Sequence, residues 1–240
     1  MGTNTIIVGI AIMVLWTTTS NMQTFPHGVR ELTESAVFDV PAGVSTISVE
    51  LWAAGGGGGG GAEGGPGVGP GAGGGGGGGG AYVRAVLAVK GGESYTISLG
   101  AGGAAGKGAA GSVRIPEDGS AGGQSSVRFG TTIVLLAAGG EGGKAKKAHR
   151  PRVAAGGTGG SVPRDSTSMI VRAGNDGSNG ETGSGSDLDT TMAGGAGGPA
   201  IMGTIRPRGS HGGAGGTGRP FGMGGANGSS GGGGAAIVTW

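Results

Sequence analysis

The sequence predicts an all-β, glycine-rich fold in which short antiparallel strands bundle packed polyglycine II helices, preceded by an N-terminal apolar helix or strand. Three observations carry that expectation. Glycine supplies 68 of the 240 residues, against a usual share of about 7%. Several short segments alternate apolar and polar side chains with the period of two that marks a half-buried strand. Between them lie uninterrupted glycine runs, residues 55–61 and 73–80, and many Gly-Gly pairs from Gly139 to Gly234.

Composition narrows the functional classes. Leu, Ile, Val and Phe make up about 17% of the chain, below the ~20% that usually supports a packed core. Disorder of that composition normally also needs a high net charge, and this chain carries only +2. A doubly wound or barrel enzyme of this length needs a larger core than four Phe and this aliphatic content suggest. Collagen is excluded, because the stretch Gly64-Gly65-Pro66-Gly67-Val68-Gly69-Pro70-Gly71 does not place Gly at every third position. The absence of cysteine removes disulfides and thiolate metal sites. Charge is split along the chain: residues 1–143 hold six Lys/Arg and nine Asp/Glu, residues 144–240 ten and five.

The first element is the apolar run Thr5 to Trp16, with Ile6, Ile7, Ile10, Ile12, Val14, Leu15 and Trp16 as candidate assembly residues. Twelve residues suit a secretory h-region better than a membrane span of roughly 20. However, no Lys or Arg precedes the run, and Thr17-Thr18-Thr19-Ser20 is a loose match to a cleavage site. A cleaved signal, a membrane anchor and a buried packing or assembly element all stay open. Residues 21–35 read as a polar connector, so residues 1–35 form an N-terminal segment and residues 36–240 one glycine-rich domain, with a candidate subdivision near 144–165.

The strands follow. Ala36 to Val40 leads into the turn Pro41-Ala42-Gly43. Ile47, Val49 and Leu51 share one face of the next strand. Val83, Ala85, Leu87 and Val89 share a face, Lys90-Gly91-Gly92-Glu93 turns the chain, and Tyr95, Ile97 and Leu99 share a face, which predicts a hairpin. Residues 125–129 and 132–138 predict a second hairpin around Gly130-Thr131. Met169 to Arg172 and Ala235 to Trp240 are further short strands.

Glycine loses the most backbone entropy on ordering, so such tracts are usually flexible linkers. They order only when extended backbones with three residues per turn pack side by side, bonded through N–H···O and Cα–H···O contacts. Strands that fix the ends of the tracts favour such an ordered lattice here.

At this point the chain resembles a known family. Residues 38–54, FDVPAGVSTISVELWAA, followed by poly-Gly, resemble the opening of a glycine-rich domain family found in bacterial secreted proteins, phage tail proteins and large DNA virus proteins. Gly80-Ala81-Tyr82-Val83-Arg84-Ala85, Gly91 to Ile97, Gly123 to Arg128 and the closing Gly233 to Trp240 continue the likeness over roughly residues 36–240. Gly218-Arg219-Pro220-Phe221-Gly222 gives a more distant likeness to phage tail-fibre tip adhesins. That likeness implies polyglycine II packing with host-binding distal loops. The glycine-rich region of anaplastic lymphoma kinase-type receptors also looks similar.

Motifs that would carry chemistry are weak in so glycine-rich a background. Gly228-Ser229-Ser230-Gly231-Gly232 fits G-x-S-x-G without a strand–elbow–helix context. Gly106-Lys107 is a P-loop fragment with Ala101 at the first Gly position and Gly108 in place of Ser/Thr. His27, His149 and His211 are far apart. Asp176, Glu181, Asp187 and Asp189 form an acidic stretch with carboxylates that suit calcium, without the nonapeptide of calcium β-rolls. Asn227-Gly228-Ser229 fits the N-glycosylation triplet. Lys144, Lys146, Lys147, His149, Arg150 and Arg152 form a basic cluster and the candidate binding loop. It lacks the interleaved aromatics that stack on bases, so nucleic acid is not expected.

The expectation is therefore a non-enzymatic structural protein, without catalytic residues, metal or cofactor. It would assemble with itself, through its glycine-rich domain and apolar N-terminus, into an extracellular filament, fibre or virion component. Other virion or cell-surface proteins and a membrane contact through residues 5–16 are the further partners considered. The alternative is an adhesin of phage, viral or bacterial origin, whose loops near 144–153, 175–190 and 204–211 bind a host receptor or glycan.

Overall fold

The computed structural model describes residues 26–65, 70–109, 115–145, 154–162, 169–181, 192–199, 210–217, 219 and 225–240. The apolar run 5–16 lies outside them.

Nine strands form two antiparallel sheets packed face to face. They are β1 (Val29–Leu32), β2 (Ala36–Asp39), β3 (Thr46–Trp52), β4 (Tyr82–Ala88), β5 (Ser94–Ser98), β6 (Ser125–Phe129), β7 (Thr132–Ala137), β8 (Met169–Arg172) and β9 (Ala235–Thr239). One sheet runs β1-β9-β3-β4-β8, the other β2-β5-β6-β7. The period-two faces explain the packing. Ile47, Val49 and Leu51 meet Val83 and Ala85 on one inner face, and Phe38, Tyr95, Ile97, Val127 and Leu135 form the other. Together they make the hydrophobic core.

Two expectations need correction. Residues 81–99 are not a hairpin, because β4 pairs with β3 and β8 while β5 pairs with β2 and β6. Both strands point apolar faces into the same core, which requires them to lie in opposite sheets. Gly92, at φ +87°, donates its N–H to the Val40 carbonyl, and the Glu93 carbonyl accepts from Val40, so the turn is an arch between sheets. The connector 21–35 also contains a strand, β1, whose only buried residue is Leu32. A polar strand with one apolar contact carries no alternation to read. The β6–β7 hairpin forms as expected, with Gly130 at φ +56° and an irregular register between Val127 and Arg128.

The strands run on into ten extended glycine-rich segments: 54–62, 72–80, 101–109, 117–123, 138–145, 154–161, 174–181, 193–199, 210–217 and 225–234. Every third residue bonds the same neighbour. Gly55, Gly58 and Gly61 donate to the carbonyls of Gly232, Ser229 and Ala226, while Gly56 and Gly59 donate to Gly78 and Gly75. That is the three-residue repeat of polyglycine II. Segment 54–62 donates to 72–80, 117–123 and 225–234, and accepts from 101–109, 138–145 and 210–217, so six neighbours surround it. Segment 72–80 has six neighbours likewise. The other eight form a closed ring around this pair in chain order, each antiparallel to its predecessor, and 225–234 closes the ring on 101–109.

This arrangement explains the glycine runs. At Gly58 a Cβ would fall on the Ala214 carbonyl oxygen, at Gly76 on that of Ala196. A segment enclosed on six sides has no direction left for a side chain, and the two uninterrupted runs are the two enclosed segments. A ring segment has one free direction in three, so exposure repeats as exposed, intermediate, buried along residues 101–109 and again through 155–160.

Candidate functional site

Because neighbouring segments alternate in direction, the connections between them collect at two ends. The β-sandwich forms one pole, where Gly28 and Trp240 exchange backbone hydrogen bonds and Phe38 packs against Trp240 with ring centroids 5.3 Å apart. At the far end of the array, the distal pole, 62 is linked to 72, 109 to 117, 145 to 154, 181 to 193 and 217 to 225. At ~3.1 Å per polyglycine residue and ~3.4 Å per strand residue, the poles lie roughly 50 Å apart.

The basic cluster enters at the distal pole. Lys144 ends segment 138–145 there and pairs with Asp118 at 3.3 Å, both exposed. Lys146, Lys147, His149, Arg150 and Arg152 lie outside the described residues, in a connection whose two ends the structure places at this pole. The expected loops 144–153 and 175–190 thus adjoin the distal pole. The third, 204–211, joins segments 193–199 and 210–217 at the sandwich end.

Most candidate chemistry belongs to one structural device. A ring segment has N–H groups facing away from the array, and side chains of the next segment bond them. Asp176 Oδ1 accepts from Gly159 at 2.7 Å, Asn227 Oδ1 from Gly108 at 2.8 Å, Glu181 Oε2 from Ala193 at 3.1 Å and Ser229 Oγ from Ala214 at 2.7 Å. Asp118 Oδ1 does the same for Ala145 at 2.7 Å. The acidic stretch, the glycosylation triplet and the G-x-S-x-G match all contribute residues to these latches. In the P-loop fragment, Gly106 donates its N–H to Gly58 and Lys107 pairs with Glu117 at 3.9 Å. His27 lies at the sandwich pole and His211 opens segment 210–217, so the fold does not bring them together. Among the described residues no group of His, Asp and Glu could hold a metal ion, and no helix is long and apolar enough to cross a membrane.

Two features escaped sequence reasoning. On the outer face of the β1-β9-β3-β4-β8 sheet, Trp52, Tyr82, Ala235 and Ile237 form a second buried cluster. There the Tyr82 hydroxyl donates to Glu50 Oε2 at 3.0 Å. Burial first, and the Glu50 carboxylate second, push the Tyr82 hydroxyl up to about 12. The polar–apolar alternation of β3 gave no sign that this face is covered. The other is Ser210, fully buried at φ +57°, whose hydroxyl has no partner. It is the one non-glycine residue with positive φ among those described.

An all-β sandwich continued by a closed polyglycine II array defines a glycine-rich scaffold, a rigid body with side chains only on its ring and at its poles. The chain belongs to the glycine-rich domain family, whose family model matches residues 31–240. No curated protein matches it.

Proposed function

We propose that this chain is a non-enzymatic structural protein of an extracellular filament, fibre or virion, in which the finished domain is a rigid spacer and the apolar N-terminal segment joins copies. The supporting observation is the polarity of the molecule. Pro26 to Gly28 lie at the sandwich pole, beside Trp240, so residues 5–16 emerge opposite the distal connections. The glycine runs are enclosed by the chain's own segments, so association falls to the outer surfaces of the domain and to the N-terminus. Electron microscopy of the full chain at low micromolar concentration tests the reading. Regular filaments or sheets are expected. Discrete particles with no tendency to associate at any concentration would overturn it.

One observation favours a second reading as an adhesin: five connections, including 146–153 and 182–191, meet at the distal pole. Replacing residues 146–152 with a glycine-serine segment would then abolish attachment to a host surface while thermal stability stayed unchanged.

A further inference from the structure

We propose that residues 5–16 of one copy add as a strand along the outer edge of β7 in the next copy, building an open chain of subunits. The inference rests on the assembly reading above and names its interface.

The four sheet edges are not alike. Edge strands normally carry charge, shortness or capping that prevents pairing with another chain. β1 carries Arg30 and Glu31. β2 is four residues long, and the Arg30 guanidinium donates to its Val37 carbonyl at 3.2 Å. β8 is four residues long and ends in Arg172. β7 is six residues long, Thr132-Ile133-Val134-Leu135-Leu136-Ala137, with no charge and no proline. It pairs with β6 on one side, and among the described residues no strand pairs with the other. Ile133 on this edge is 43% exposed.

The occupant has matching chemistry. Residues 5–16 carry no charge and no proline, and the β-branched residues Ile6, Val8, Ile10, Ile12 and Val14 fall on alternate positions. That is the pattern of a strand with one bulky face. The described chain begins at Pro26, beside β1, whereas β7 borders the opposite edge of the other sheet. Donor and acceptor lie on opposite sides of one subunit, so the contact is heterologous and repeats from copy to copy without closing. Residues 17–25 reach up to about 30 Å when extended, enough to span a junction between subunits.

The absence of cysteine from the chain makes the test direct. Full-length Ile10→Cys and Ile133→Cys proteins are mixed and treated with a short bis-maleimide. Covalent heterodimers are expected from the mixture, and ladders from the double variant. Linkage only within single chains of the double variant would overturn the inference. Filaments that form without any linkage would overturn it too, while leaving the assembly reading intact. Absence of both linkage and assembly would overturn both. As a second measurement, Ile133→Lys, at an exposed position, is expected to raise the concentration needed for assembly about tenfold or more. An unchanged assembly concentration would also count against the β7 edge.

Discussion

Tyr82 and Glu50 sit diagonally across β4 and β3, with the phenol donating to the carboxylate at 3.0 Å. Both are buried on the outer face of their sheet. Trp52, directly opposite Tyr82 in the register, packs on it with centroids 5.0 Å apart. The pair gives a carboxylate in a largely apolar cluster a hydrogen-bond donor at the junction of sandwich and array. Removing the donor by Tyr82→Phe leaves a buried acceptor poorly satisfied, and the expected loss is about 1–3 kcal/mol by denaturant melt.

The same pair sets a pH dependence. The folded Tyr82 ionises at about 12, above the ~10 of an unfolded tyrosine. Its contribution is complete below pH 10 and is lost as pH rises from 10 towards 12, because the unfolded chain releases the proton first. Burial, then the hydrogen bond to Glu93, raises Tyr95 as well. The chain has two tyrosines, so absorbance titration of the folded protein should show little phenolate at pH 10.5, and the unfolded protein should show substantial ionisation.

Enclosed and ring positions should differ sharply in tolerance. Gly58→Ala puts a methyl on a backbone carbonyl with six segments locked around it. We expect a loss of about 3 kcal/mol or more, at or beyond the upper end for overpacking. Thr158→Ala, at an exposed ring position, should stay within about 0.5 kcal/mol. Thermal melts of the two variants check the contrast.

Ser210→Gly should stabilise the protein. It relieves a left-handed backbone, worth about 1–2 kcal/mol, and removes a buried hydroxyl without a partner, worth about 1–3 kcal/mol. The added backbone freedom of glycine subtracts about 0.5–1 kcal/mol. Ser210→Ala keeps the backbone strain and should gain only the hydroxyl contribution, so the order in melting temperature should be Gly above Ala above Ser.

Asp118 separates a hydrogen bond from an ion pair. Its Oδ1 accepts from the Ala145 N–H and its Oδ2 faces Lys144. Asp118→Asn can keep the first and loses the second, and should cost under about 1 kcal/mol, since both charges are exposed. Asp118→Ala loses both and should cost about 0.5–1.5 kcal/mol more.

The inner faces of β3, β4, β5 and β9 were legible because alternation reports burial directly. Their partners were less so: 81–99 reads as a hairpin from spacing alone, and only the shared core places β4 and β5 in different sheets. The lattice was legible as a possibility from the glycine runs, and a finer signal was present. Ala138-Gly-Gly-Glu141-Gly-Gly-Lys144 and His211-Gly-Gly-Ala214-Gly-Gly-Thr217 repeat one side chain and two glycines, the signature of a ring segment with one free direction. Which segments neighbour which is written in backbone bonds, and those leave no trace in side-chain type. The same holds for the latches: Asp176, Glu181 and Asn227 resemble ligand or modification sites until their partners, the N–H groups of adjacent segments, are seen.

The ring has a consequence for how the protein can be made. Segment 54–62 leaves the ribosome early, yet it is bonded by residues as late as Gly232, and β9, between β1 and β3, is the last strand of the chain. Neither the lattice nor the first sheet can be completed from the front, so the nascent chain must wait, largely unpaired, for its final residues. Such non-local closure makes folding slow and cooperative, and a chain shortened by even its last few strand residues would lose the sheet and the ring together rather than one repeat at a time.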